Sequence, residues 1–174
     1  MSIKFEVVES YKNKDINLPK RGTSGSAGYD FEAAEDIIIP SFMNGSKHEQ
    51  VKPTMVPTGI KAKMPSDVVL EINVRSSIGV KKLLMLPNQT GIIDSDYYNN
   101  PNNEGHIFIP LINLSNHAIE IKKGERIAQG IFLNYLVTDD DKVESIRNGG
   151  FGSTTSEGEF NVSSIVNTVS KMIK

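Results

Sequence analysis

Apolar and polar residues alternate along this chain in short runs, and no core segment keeps a helical period. Ile3 to Val8 alternates from the start, and Ile60-Lys-Ala-Lys-Met64 does so again after a Pro57-Thr-Gly turn, within a patterned stretch from Met55 to Met64. Val68 to Val74 reads Val-Val-Leu-Glu-Ile-Asn-Val and fits a strand buried on at least one face. Asp36-Ile-Ile-Ile-Pro40 is a short apolar run stopped by proline. Further strands are predicted over Leu83 to Leu86, His106 to Leu114, Ala118 to Ile121 and Ile127 to Leu136. Gly, Pro and Asn punctuate these runs at intervals of about ten residues, which is the spacing of an all-β sandwich or jelly-roll barrel.

Three segments depart from that plan. Ser41 to Glu49 is a polar interruption and predicts a loop. Tyr98-Asn-Asn-Pro-Asn-Asn-Glu104 cannot continue a strand through Pro101 and predicts an exposed loop. Beyond Asp139 the chain turns charged, then glycine-rich at Gly149-Gly-Phe-Gly-Ser-Thr-Thr155. The final stretch, Ser163 to Lys174, places Ile165, Val169, Met172 and Ile173 on one helical face. The organisation expected is a β-barrel domain over 1–145, a flexible glycine-rich arm over 146–158, and a tail over 159–174 that ends in a short amphipathic helix.

Composition narrows the chemistry. With 174 residues the chain is long enough for one well-buried domain. Net charge is -2, which argues against non-specific nucleic-acid binding while leaving room for a local basic pocket. Cysteine is absent, so thiolate metal sites, disulfides and thiol nucleophiles are excluded. His48, His106 and His117 lack metal-ligand spacing and are assigned to surface or packing roles. No apolar run reaches membrane-spanning length and the N-terminus has no hydrophobic signal core, so a cytoplasmic location is expected.

Five segments carry candidate chemistry. Gly91-Ile-Ile-Asp-Ser-Asp-Tyr97 sets two carboxylates and an aromatic behind a glycine turn; strand-like alternation would point Asp94 and Asp96 the same way. On its own that pattern is also a solvated hairpin. Ala27-Gly-Tyr-Asp30 leads from a Gly/Ser/Thr-rich loop into a strand. Arg75-Ser-Ser-Ile-Gly79 offers a guanidinium, two hydroxyls and backbone amides, a set suited to a multiply charged phosphate. Gly124-Glu-Arg-Ile-Ala-Gln129 is a turn before a strand, in which Arg126 reads as a surface ion-pair partner. Gly149 to Thr155 allows close backbone approach to phosphate but is not a Walker loop. Phe151 there gives a base something to stack on.

Taken in this order, the five segments resemble the five sequence motifs of the homotrimeric dUTP diphosphatases. The matches are Ala27 to Phe31, Arg75 to Gly79, Asn88 to Tyr97, Gly124 to Gln129, and Gly149 to Thr154. The resemblance implies a jelly-roll-like subunit and a homotrimer whose active sites lie at subunit interfaces. The implied reaction is hydrolysis of dUTP to dUMP and diphosphate with Mg2+ on the triphosphate, which limits uracil in DNA and supplies dUMP for dTMP synthesis.

Carried onto this chain, Asp94 would activate the attacking water. Asn88 and the backbone of Gly91, Ile92, Ile93 and Asp94 would read uracil, and Tyr97 would sit under the deoxyribose and exclude a 2'-hydroxyl. Arg75, Ser76, Ser77 and Gln129 would contact phosphates, and Asp30 would reach the metal through water. From the arm, Phe151 would stack on uracil, with Ser153, Thr154 and Arg147 toward the phosphates.

Some positions depart from the family pattern. Ser77 stands where glycine is usual, Tyr98 to Glu104 is inserted before Gly105, Ile146 occupies the usual arm-arginine position with Arg147 next to it, and Thr155 replaces a closing glycine. Two rival readings are a dCTP deaminase and a nucleotide-gated binder of another protein, docking at 98–104 or the tail. The deaminase needs a glutamate that Ile107-Phe-Ile-Pro-Leu-Ile-Asn113 lacks.

Overall fold

The structure is a computed structural model, and it describes residues 2–44, 52–145 and 147. In chain order the strands are β1 (Lys4–Val7), β2 (Lys20–Arg21), β3 (Tyr29–Glu32), β4 (Ile37–Ile39), β5 (Thr54–Pro57), β6 (Ile60–Lys63) and β7 (Val68–Val74). The α-helix α1 (Ser76–Lys82) follows, then β8 (Leu84–Met85), β9 (Gly91–Ile93), β10 (Phe108–Asn113), β11 (Ile119–Ile121) and β12 (Arg126–Asn134). The largest sheet has the order β2-β3-β12-β7-β9; β5-β10-β8, β1-β6 and β11-β4 complete the framework. All the strand ladders among the described residues are antiparallel.

Alternation decides which faces meet. Val68, Leu70 and Ile72 of β7 are buried while Val69, Glu71 and Asn73 are only partly so. In β10 the pattern is offset, with Ile109, Leu111 and Asn113 inward. The apolar ones among these side chains join Phe31, Ile39, Leu84, Leu86, Ile107, Ile121 and Ile127 in one continuous core. Burial of this much aliphatic surface is the main stabilising force, since each fully buried Leu or Ile contributes roughly 1.5–3 kcal/mol. Gly130 in β12 lets the core close: a Cβ there would lie 2.8 Å from both Leu70 Cδ1 and Phe31 Cε2.

The all-β expectation holds, with local corrections. Residues 76–82 are helical, capped by the left-handed Leu83 (φ 53°) and burying only Ile78. A seven-residue helix with one buried side chain leaves no periodic trace in sequence. Leu83 to Leu86 contracts to the two residues of β8, because Leu83 serves as that cap. The strand through Gly91 stops at Ile93, and Ser95–Tyr97 is a 3-10 turn rather than a continuation. β2, only two residues long, was not foreseen.

The 98–104 segment is a turn exposed at Asn99, Pro101 and Asn102, as its composition predicts, but it is pinned to the rest of the chain. Asn100 is buried, and the side chains of Tyr98, Asn99, Asn100, Asn103 and Glu104 all bond to the chain itself. Asparagines can make turns and satisfy buried backbone at once, which an apolar loop could not. Phe42–Asn44 forms a 3-10 turn at the start of the expected 41–49 loop. The arm from 148 onward and the predicted helix over 163–174 lie outside the described residues.

Candidate active site

β9 and the turns flanking it build the first half of the site. Gln89, in the left-handed region (φ 64°), turns the chain so that Thr90 N–H donates to Asn88 O at 2.7 Å. Gly91 then enters the ladder opposite Ile72, with Ile93 opposite Leu70. Asn88, Gly91, Ile92, Ile93, Asp94 and Tyr97 line a pocket of about 200 Å³, closed on its far side by Ile107, Phe108 and Pro110 and flanked by Arg147. Seven residues singled out from sequence therefore converge on one cavity.

Tyr97 is the best-anchored of them. The side chain is only 6% exposed. Its hydroxyl donates to His106 O at 3.0 Å and accepts from Asn103 Nδ2 at 2.7 Å. Burial pushes the phenol pKa up, partly offset by the Asn103 hydrogen bond and the charge of Arg147. The ring is therefore a fixed, neutral wall.

Asp94 sits at the pocket rim with its side chain 44% exposed. Although the strand ends before it, Asp94 and Asp96 still face a common partner, as alternation would have had them do. Arg147 Nη2 pairs with Asp94, and Nε of the same guanidinium donates to Asp96 Oδ1 at 2.7 Å.

The second half of the site lies where β3, β12 and β7 run side by side. Asp30 stands opposite Gln129, which stands opposite Asn73. The Asp30 carboxylate, 14% exposed, accepts from Arg75 Nε at 2.9 Å and Arg126 Nη1 at 3.1 Å. Arg126 is thus the ion-pair partner its position suggested. Ser76 and Ser77 open α1 directly after Arg75. Gly28 brings the preceding loop onto Gln129: a Cβ there would fall 2.8 Å from Gln129 Oε1. No cluster of three His, Asp or Glu side chains able to hold a metal occurs among the described residues. Asp30, with one guanidinium N–H on each oxygen, keeps lone pairs that could accept from the water shell of a hydrated cation.

Arg75, Ser76, Ser77, Gln129 and Asp30 are not among the residues lining the β9 pocket. The chain therefore presents an apolar-floored pocket beside a carboxylate and, outside its lining, a group of guanidinium, amide and hydroxyl side chains. Phe151, Ser153 and Thr154 lie outside the described residues. Sequence reasoning missed Ile107, Phe108 and Pro110 as pocket wall. The signal was present in the period of β10, which turns Phe108 and Pro110 to the face opposite Ile109 and Leu111.

Comparison with known proteins shows the family. The sequence model of the dUTPase family matches residues 14–156. The deoxyuridine 5'-triphosphate nucleotidohydrolase of Lactococcus lactis subsp. lactis is 50% identical over 152 residues, covering 86% of this chain and 95% of the relative. That of Rattus norvegicus is 34% identical over 147 residues, 82% of this chain and 63% of its own length. Among solved structures, the dUTPase from Streptococcus mutans superposes with a TM-score of 0.69 at 43% identity, covering 78% of this chain and 98% of that one. The dUTPase from phage phi11 of S. aureus, at 18% identity and a TM-score of 0.64, shares the fold. With its five motifs in order and a family match over most of its length, the chain belongs to the dUTPase family.

Proposed function

We propose that this chain hydrolyses dUTP to dUMP and diphosphate, with the β9 pocket holding the uracil and deoxyribose and Asp94 as general base. The observation that carries this is the convergence of Asn88, the Gly91–Ile93 backbone, Tyr97 and Asp94 on a single cavity. Its volume of about 200 Å³ is below the roughly 300–1,000 Å³ of pockets that enclose a whole ligand. It suits one ring and part of a sugar, leaving the triphosphate outside, where Asp94 stands at the rim.

In this reading Asn88 and the β9 backbone bond the uracil edge, and the fixed ring of Tyr97 blocks a 2'-hydroxyl. Asp94 takes a proton from the water that attacks the α-phosphorus, with Arg147 paired to one oxygen of the same carboxylate. Arg75, Ser76, Ser77 and Gln129 bind phosphate oxygens, with Arg75 offering a charged fork and the serines single hydroxyls. Mg2+ on the triphosphate would spread the negative charge of the leaving diphosphate; a structural Mg(II) ion is coordinated in the phage phi11 enzyme. Asp30 would hold the cation's water shell. Phe151 covers the base, and Ser153, Thr154 and Arg147 meet the terminal phosphates once the arm closes.

The chain works as a cytoplasmic homotrimer in this account. The separation of the β9 pocket from the Arg75–Gln129 patch supports it, because copies arranged around an axis can set one chain's patch over another's pocket. The 98–104 turn and the tail are the places left for a protein partner. No helix among the described residues is long and apolar enough to cross a membrane.

The test is diphosphate release measured across dUTP, dCTP, dTTP and UTP. Turnover of dUTP should dominate by orders of magnitude; comparable rates on UTP or dTTP would remove the pocket assignment.

A further inference from the structure

The insertion after Tyr97 leaves and returns to nearly the same point. Gly105, at φ +81°, packs so tightly that a Cβ would lie 2.6 Å from Tyr97 O and 3.0 Å from Tyr98 Cα. The family's short spacing between tyrosine and glycine is thus re-created in space, with residues 98–104 looped out between them. The loop is bolted down on its outer side. Lys61, with its side chain only 9% exposed, donates to Asn99 Oδ1 at 2.7 Å and Glu104 Oε1 at 2.5 Å. Glu104 Oε2 accepts from Glu9 N at 2.9 Å, and Tyr98 Oη donates to Glu6 Oε2 at 2.7 Å.

On its inner side the loop delivers one side chain to the pocket wall. Asn103 Nδ2 donates to Tyr97 Oη at 2.7 Å. Its amide cannot turn away, because Oδ1 accepts from Asn100 Nδ2 at 2.7 Å and from Gly105 N at 3.1 Å. Buried Asn100 is in turn fixed by Tyr97 O at 2.9 Å and by the N–H groups of Asn102 and Asn103 at 3.1 and 3.3 Å. The phenol therefore has a donor and an acceptor partner, and both come from residues at or beyond the insertion. A buried hydroxyl with both roles filled is held more firmly than one that keeps only the His106 acceptor.

We propose that Asn103 is a positioning residue for sugar selection: the inserted loop holds the Tyr97 ring where it excludes a 2'-hydroxyl, so selectivity depends on a residue outside the pocket. This rests on the proposed role of Tyr97, and the experiment separates the two. The readout is the ratio of kcat/KM for dUTP to that for UTP in the full-length protein. Asn103→Ala should lower the ratio on the order of 5-fold, the scale of one net hydrogen bond, mostly through better use of UTP. In a Tyr97→Phe background, which has no hydroxyl to hold, Asn103→Ala should have no further effect on the ratio. Asn100→Ala frees one side of the Asn103 amide, which Gly105 N still holds, and should lower the ratio in the same direction but by less.

An unchanged ratio in Asn103→Ala, additive effects in the double variant, or a larger drop in Asn100→Ala than in Asn103→Ala would each overturn the inference. Should Asn103→Ala fail to fold, Tyr97→Phe alone decides, since loss of the hydroxyl must then lower the ratio similarly. If Tyr97→Leu, which removes the ring itself, leaves the ratio unchanged, the sugar-gating role of Tyr97 is what has failed.

Discussion

Arg147 and Asp94 lie 53 residues apart in sequence, yet one guanidinium nitrogen of the arginine is hydrogen-bonded to the carboxylate that the family resemblance makes the base. The same guanidinium is fixed from behind by Asp96 at 2.7 Å. The chain's own Arg147 therefore occupies one carboxylate oxygen of that proposed base.

Asp94→Asn should leave the fold and dUTP affinity near normal, because Asp96 still holds Arg147 and an exposed ion pair contributes only about 0–1 kcal/mol. Turnover should drop roughly 100- to 10,000-fold through loss of the proton acceptor. Single-turnover kinetics beside a binding isotherm would check both halves, and near-normal turnover would exclude Asp94 as the base.

Two glycines give opposite expectations for the same substitution. Gly130→Ala drives a methyl into Leu70, Phe31 and Ile72 in the centre of the core, so stability should fall by about 1–3 kcal/mol, read as a lower Tm. Gly28→Ala meets Gln129, most closely at its amide oxygen, the far end of a flexible side chain that can swing aside. There Tm should hold while kcat/KM falls, if Gln129 contacts phosphate as proposed. A Gly28→Ala protein with full activity would argue that Gln129 is only packing.

His106 predicts an acid limit to stability. Its Nε2 accepts from Gly59 N at 2.8 Å, and the ring packs on Phe108 and Tyr11 with centroids 4.0 and 5.1 Å apart. Burial lowers its pKa from 6.5 to about 4, against the raising influence of Glu104 and Glu35. Below pH 6.5 the unfolded chain takes up a proton that the folded chain refuses. Stability is therefore complete above pH 6.5 and falls as pH drops toward 4, by about 3 kcal/mol at most. Chemical denaturation across that window should show the slope, and His106→Gln should flatten it.

Cutting the chain after Arg147 removes Phe151, Ser153 and Thr154 but no described strand. Loss of one stacked base, about 1–3 kcal/mol, should appear in kcat/KM with little change in Tm. A cut after Gly158 should retain activity. If that shorter cut dissociates the oligomer in light scattering, the tail belongs to the assembly; if the longer one leaves hydrolysis intact, the glycine-rich segment is a linker.

What sequence revealed and what it hid follow from the range of the interactions. β7 and β10 were legible because a half-buried strand must alternate, and Val68, Leu70 and Ile72 do. Gly91 through Tyr97 was legible because a tight turn, a carboxylate and an aromatic lie within a few residues of one another. The helix after Arg75 was not, since it buries one residue and is held by Arg75 O and the turn at Leu83. The contact of Phe108 with the pocket, the grip of Arg147 on Asp94 and the bond of Asn103 to Tyr97 depend on where separate segments meet. The composition of residues 98–104 suggested solvation, whereas Asn100 and Asn103 are spent on the chain's own backbone and on Tyr97.

β9 closes the order β2-β3-β12-β7-β9, so only its inner edge is laddered within the sheet. An open strand edge is ordinarily a liability, a template on which a foreign chain can pair. At three residues β9 is too short to recruit one, yet its outer amides and carbonyls keep the spacing that strands recognise. A uracil edge offers acceptor, donor and acceptor in a row, so a uracil seated there would terminate the sheet as a sixth strand would. The nucleobase would be read by the same backbone geometry that builds the fold.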